Sequence, residues 1–146
     1  GALLPETKSI LFNDPNTLYT SEDIGTEHCH FHTVNGDKTK AIHLPCRQEL
    51  DDYIQTVYNM YPAVPKGLPR IAPYTSVLGN FIREIEGTMQ YGNAVSTAFH
   101  PQVSGTPGKA MLLEKLCQYI TSNPDIWCTT CENIARYWRD QQGGIE

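Results

Sequence analysis

The chain has 146 residues, 16.4 kDa and 40% hydrophobic side chains, which is enough to bury one ordinary core and predicts a single domain spanning 1–146. A net charge of -5, with only 11 Lys+Arg and no basic cluster, excludes the electrostatic footprint that nucleic acid or an anionic membrane requires. No apolar run approaches the roughly 20 residues of a membrane span. The start GALLPETK has no basic and apolar leader, and five sparse cysteines suit reduced thiols, so the expectation is a soluble cytoplasmic protein.

In chain order, Pro5 with Glu6 behind it predicts a short helix, closed by the Asn13–Asn16 turn. The segment EHCHFHTVNGDKTKAIHLP alternates on both sides of Asn35-Gly36, a dipeptide that tolerates positive φ, and predicts a β-hairpin. Over 47–62, Leu50, Tyr53, Ile54, Val57, Tyr58 and Tyr61 recur at helical spacing and predict a helix ending before Pro62. Four prolines in 62–76 predict a loop. Leu78, Phe81, Ile82, Ile85 and Met89 predict a helix up to Gly92. AVSTAFHP reads as a short strand buried on both faces. Thr106 is placed to cap the next helix, with Pro107 at its first position and Leu112, Leu113, Leu116 and Ile120 inward. DIWC reads as a second short strand. Thr129 and Glu132 have capping-box spacing for a last helix that carries Ile134, Ala135 and Trp138 inward.

From residue 75 onward this order is helix, strand, helix, strand, helix, the rhythm of parallel strands joined by crossover helices. Two or three parallel strands cannot close a barrel, and their faces and edges need cover. The pattern therefore predicts one piece of a larger assembly.

The block HPQVSGTPGKAMLLEKLCQYITSNPDIWCTTCENIARYW resembles the C-terminal end of the polysaccharide deacetylase (NodB-like, carbohydrate esterase 4) superfamily, especially its allantoinase-like and cyclic-imide-hydrolase-like branch. There a strand ends in His-Pro, a Ser-Gly-x-Pro-Gly turn follows, and a later helix carries a tryptophan. LPCRQELDDY and LPETKSIL resemble earlier segments of the same branch, so the likeness covers nearly the whole chain. It implies an α/β fold, a partial (half) distorted (β/α) barrel with one β-hairpin. In the family the metal triad and the catalytic base lie in the N-terminal half. No DDG occurs here, and the resemblance carries those roles to no residue of this chain. The later histidine motif falls on His100, which in the family protonates the leaving group or stabilises the oxyanion. Asp51 and Asp52 match a segment near the family's cleft. Thr106 and Lys109 stand where the branch usually has arginines.

His100 at a strand's carboxyl end lies where α/β folds collect their chemistry, and imidazole is the side chain best suited to proton transfer near pH 7. His28, His30 and His32 alternate on one strand. Two readings stay open for them: a zinc site completed by His43 or another group, and a polar hairpin face. Cys128 and Cys131 have redox or zinc half-site spacing, but no second pair accompanies them, and a small buried pair is the plainer expectation. Of the aromatics, Tyr53, Tyr58 and Tyr61 suit a helix core, while Tyr74, Tyr91 and Trp127 suit a pocket.

The expected site is His100 with Asp51 and Asp52 for acid/base chemistry, and Tyr74, Trp127 and Lys109 for substrate contact, with no metal. Without a Lewis acid, proton transfer on a small organic molecule (isomerase, lyase or cyclase type) is the expected enzyme class. The alternative is a non-catalytic subunit, or a fragment that completes a zinc-dependent amide, imide or N-acetyl hydrolase with another chain. Zinc is expected only if such a chain supplies the missing motifs. Otherwise the partners are a small-molecule substrate and a second copy of the chain.

Overall fold

The computed structural model describes residues 3–22, 26–57 and 72–142. Its elements are α1 (Pro5–Asn13), β1 (Tyr19–Thr20), β2 (His30–Val34), β3 (Asp37–His43), β4 (Cys46–Asp51), α2 (Asp52–Thr56), α3 (Tyr74–Gln90), β5 (Ser96–Ala98), α4 (Pro101–Ser104), α5 (Pro107–Ser122) and α6 (Cys131–Gln141). This is a mixed α/β chain with two small sheets, ordered β1-β3-β2 and β4-β5. Among the described residues no helix is long and apolar enough to cross a membrane. The chain divides into two compact units, one of Gly1–Cys46, Asn93–Ser96 and Thr129–Glu146, the other of Arg47–Gly92 and Thr97–Cys128.

The first unit is built on the hairpin. Asn35 (φ 53°) and Gly36 (φ 91°) take the positive φ values that a two-residue turn demands, and antiparallel pairing sets His30 opposite His43 and Phe31 opposite Ile42. β1 adds a parallel strand, with Tyr19 opposite Ile42. Alternation then sorts the two faces. Phe31, Ile42, Leu44 and Ala135 of α6 form the hydrophobic cluster, with Trp138 edge-on to Phe31. On the other face the Phe12 ring of α1 stacks on His32 at 3.7 Å.

The second unit packs α3 against α5, burying Val77, Phe81 and Ile85 of the one and Leu112 and Leu116 of the other. Leu50, Val103 and the Phe81–Phe99 stack extend this core.

Several expectations are corrected. The segment predicted as a helix from residue 47 begins as strand β4, because the Asp51 carboxylate accepts from the Tyr53 and Ile54 amides and starts the helix only at Asp52. Tyr58, Tyr61 and most of the 62–76 loop lie outside the described residues. The AVSTAFHP strand is limited to Ser96–Ala98 and exposes Thr97, so it is not buried on both faces. DIWC forms no strand: Asn123 turns the chain there, taking the Asp125 amide on its side chain, and Trp127 is 57% exposed. Thr106 holds the N-cap position of α5, but its hydroxyl donates to the Val103 carbonyl instead of capping. Thr130, one residue later than predicted, caps α6 by accepting from the Asn133 amide.

Candidate functional site

Within the second unit, Thr97 and Ala98 of β5 lead through Phe99 to His100, and α4 starts at once on Pro101. The His100 carbonyl accepts from the Val103 and Ser104 amides, both at 2.8 Å, so a single tight turn follows the histidine. Gly105 closes that turn. A Cβ there would run into the Pro101 carbonyl oxygen, a contact no side chain tolerates.

That turn delivers three donors to one carboxylate. Asp52, 2% exposed, accepts from the His100 amide on Oδ1 (3.1 Å) and Oδ2 (3.0 Å), from the Ser104 hydroxyl on Oδ2, and is bonded through Oδ1 to His100 Nδ1 at 2.7 Å. Asp51 Oδ1 stands 3.7 Å from the same nitrogen. Burial pushes the Asp52 carboxyl up, but hydrogen bonds from Ser104 and His100 outweigh it and hold the group below its ordinary value. The hydrogen bond to Asp52 raises His100, and the charges of Asp51 and Asp52 add to it against a smaller effect of burial. An ionised carboxylate is acceptor-only, so Nδ1 carries the proton of the 2.7 Å bond and Nε2 is the atom left for a ligand. The imidazole is 38% exposed, and the Tyr53 ring stands edge-on to it at 5.9 Å.

Sequence reasoning therefore named three members of this group, Asp51, Asp52 and His100, and missed Ser104. The signal was present: Ser104 lies four residues after His100, one helical turn along. The other three candidates stand on other parts of the unit. Tyr74 opens α3 and lies over Gly108, Lys109 is in the first turn of α5, and Trp127 follows the Asn123 turn.

Among the described residues, Asp51, Asp52 and His100 are the group whose metal-ligating atoms lie within 4.8 Å of one another. The metal that the resemblance implies does not fit them as they stand, however. Both Asp52 oxygens and His100 Nδ1 are engaged with one another, with Ser104 and with the His100 amide, and a cation would have to displace those bonds.

The hairpin histidines lie in the first unit. His30, His32 and His43 gather with ring centroids 4.7 to 5.8 Å apart, and His32 and His43 are buried, so this is an inward face and not a polar exposed one. His28 and His32 are four residues apart, the spacing of a metal-binding pair, but His28 Nδ1 meets Asn93 and His32 Nε2 meets the Thr20 hydroxyl. None of the five cysteines forms a disulfide. Cys128 is exposed, contrary to the expected buried pair, and Cys131 packs against the cluster of the first unit.

No family model matches the chain, and no curated protein matches it by sequence. Solved structures do. A Mycobacterium smegmatis protein assigned as a polysaccharide deacetylase superposes with a TM-score of 0.80 at 25% identity, over 97% of this chain and 47% of its own. The allantoinase PuuE gives 0.77 at 16%, over 99% and 46%. A Pseudomonas aeruginosa PAO1 protein, likewise assigned as a polysaccharide deacetylase, gives 0.72 at 17%, over 97% and 45%. The chain thus spans a little under half the length of the structures it matches. The fold of this chain is therefore similar to part of the fold of polysaccharide deacetylase-like (NodB-type) proteins, in keeping with the resemblance of the residues quoted from the sequence.

Proposed function

We propose that this chain is a half barrel of deacetylase ancestry in which His100 moves a proton to or from a small organic molecule. The observation that carries the reading is the buried Asp52 carboxylate bonded to Nδ1 of a partly exposed imidazole. Asp52 fixes the tautomer and the ring orientation, and the raised proton affinity of His100 favours a general acid at neutral pH. Asp51 adds charge beside the ring. Isomerisation, elimination or cyclisation needs only such a transfer, whereas amide hydrolysis at neutral pH relies on an activated water that these residues do not supply. Tyr74, Trp127 and Lys109 are proposed to contact the substrate.

The experiment is turnover of small ureido and cyclic-imide compounds by chelator-treated protein, wild type against His100→Ala. Retained wild-type activity, lowered about 10²- to 10⁴-fold by the substitution, supports the reading. Equal activity of the two proteins overturns it.

A second reading is favoured by the 45–47% coverage of the matched structures. In it the chain completes a zinc-dependent hydrolase with another polypeptide that carries the metal residues. Zinc in the purified protein together with a heteromeric mass would select this reading.

A further inference from the structure

Ser104 donates its hydroxyl proton to Asp52 Oδ2, while Oδ1 of the same carboxylate takes His100 Nδ1 at 2.7 Å. Both Ser104 and Asp52 are buried, so water does not substitute for either contact. A serine hydroxyl in an acid/base site invites a nucleophile reading, and the geometry argues against it: the proton points at Asp52 and the oxygen is enclosed. What the contact does instead is draw charge toward one carboxylate oxygen and away from the other.

We propose that Ser104 is a positioning residue that sets the proton affinity of His100 by acting through Asp52. The site is then a relay from Ser104 through Asp52 to His100, in which the serine tempers how strongly the carboxylate holds the imidazole proton. With the hydroxyl in place, the Asp52 charge is shared among Ser104, the His100 amide and Nδ1. Without it, Oδ1 becomes the more basic partner of Nδ1, and the imidazolium holds its proton more tightly. The tight α4 turn supplies the rigidity, because Ser104 and Gly105 are tied to the carbonyls of His100 and Pro101. The bearing on catalysis rests on the acid/base reading of His100, whereas the coupling itself is measured without turnover.

The test follows the His100 ring by NMR titration in wild type, Ser104→Ala, Ser104→Thr and Asp52→Asn, and in the double variant S104A/D52N. The expected result is an upward shift of the His100 midpoint in Ser104→Ala by a few tenths of a pH unit or more. Ser104→Thr, which keeps the donor, should titrate as wild type. In the Asp52→Asn background the serine substitution should have no effect. An unchanged midpoint in Ser104→Ala overturns the proposal, as does a fall toward the ordinary value, which would mean that the serine merely holds Asp52 in place. Should Ser104→Ala fail to fold, Ser104→Cys, a weaker donor of similar shape, must shift the midpoint in the same upward direction, and no shift there equally overturns the proposal.

Discussion

At Asp52 and His100 the two shifts run in opposite directions and together define a pH window. Asp52 sits below its ordinary 3.8, so its contribution is complete above that value and is lost as pH falls through the lower native value. His100 sits above its ordinary 6.5, so its contribution is complete below 6.5 and is lost as pH rises through the higher native value. The pair therefore supports the second unit most fully between 3.8 and 6.5. His100→Gln separates roles that His100→Ala merges, since the amide keeps a hydrogen bond and cannot shuttle a proton. Turnover of the Gln variant should fall as far as that of Ala, and near-full activity would reduce His100 to a ligand contact. The cysteines make the opposite prediction. Burial pushes the Cys29 thiol up to about 11, away from the thiolate that a nucleophile needs. Changing Cys128 and Cys131 together to Ser and Ala should leave activity within a few-fold. The cost should be about 1 kcal/mol of stability, from Cys131 against the Phe31 cluster. A denaturant melt and a rate assay check both, and loss of activity with the fold intact would restore a redox or metal role.

Among the elements, the hairpin face of His30, His32 and His43 carries its own pH dependence. Burial pushes His32 from 6.5 down to about 4, aided by His43, His30 and Lys8 and opposed by Glu22, which is itself paired with Lys8 at 3.2 Å. The folded state thus resists a proton that the unfolded chain accepts. Stability should be complete above about 6.5 and decline as pH falls toward about 4. The urea midpoint of the first unit, read from Trp138 fluorescence between pH 7 and 4.5, should fall in wild type and flatten in His32→Gln, and a flat wild-type profile refutes the argument. Sequence foretold the elements in proportion to how local their signals are. Asn35-Gly36 announces its turn through backbone sterics alone, and Pro5 and Pro107 mark helix starts that the structure bears out. The 47–61 stretch misled because its apolar spacing suits either period until Asp51 caps the chain and divides it. The inward turn of the histidines depends on Phe12 arriving from α1, which no local pattern encodes. The joining of Asp52 to His100, 48 residues apart, was legible only through the family likeness, and Ser104 offered no more than its spacing of one helical turn from His100.

For the whole molecule, a half barrel as proposed would leave strand edges and apolar faces without cover. We expect self-association or capture of a complementing chain, and sedimentation showing a clean monomer at micromolar concentration would count against both. The division into two units also has a consequence in time. The first unit takes its residues from Gly1–Cys46, Asn93–Ser96 and Thr129–Glu146, and the second occupies the intervals. On a ribosome the hairpin therefore emerges with Phe31 and Ile42 bare on one side, and Ala135 and Trp138, which shelter them, follow only after the whole second unit has been made. The first unit cannot close until α6 has been made. A nascent chain consequently carries an unroofed β-surface while the second unit is being synthesised, an interval in which it is exposed to chaperone capture or aggregation.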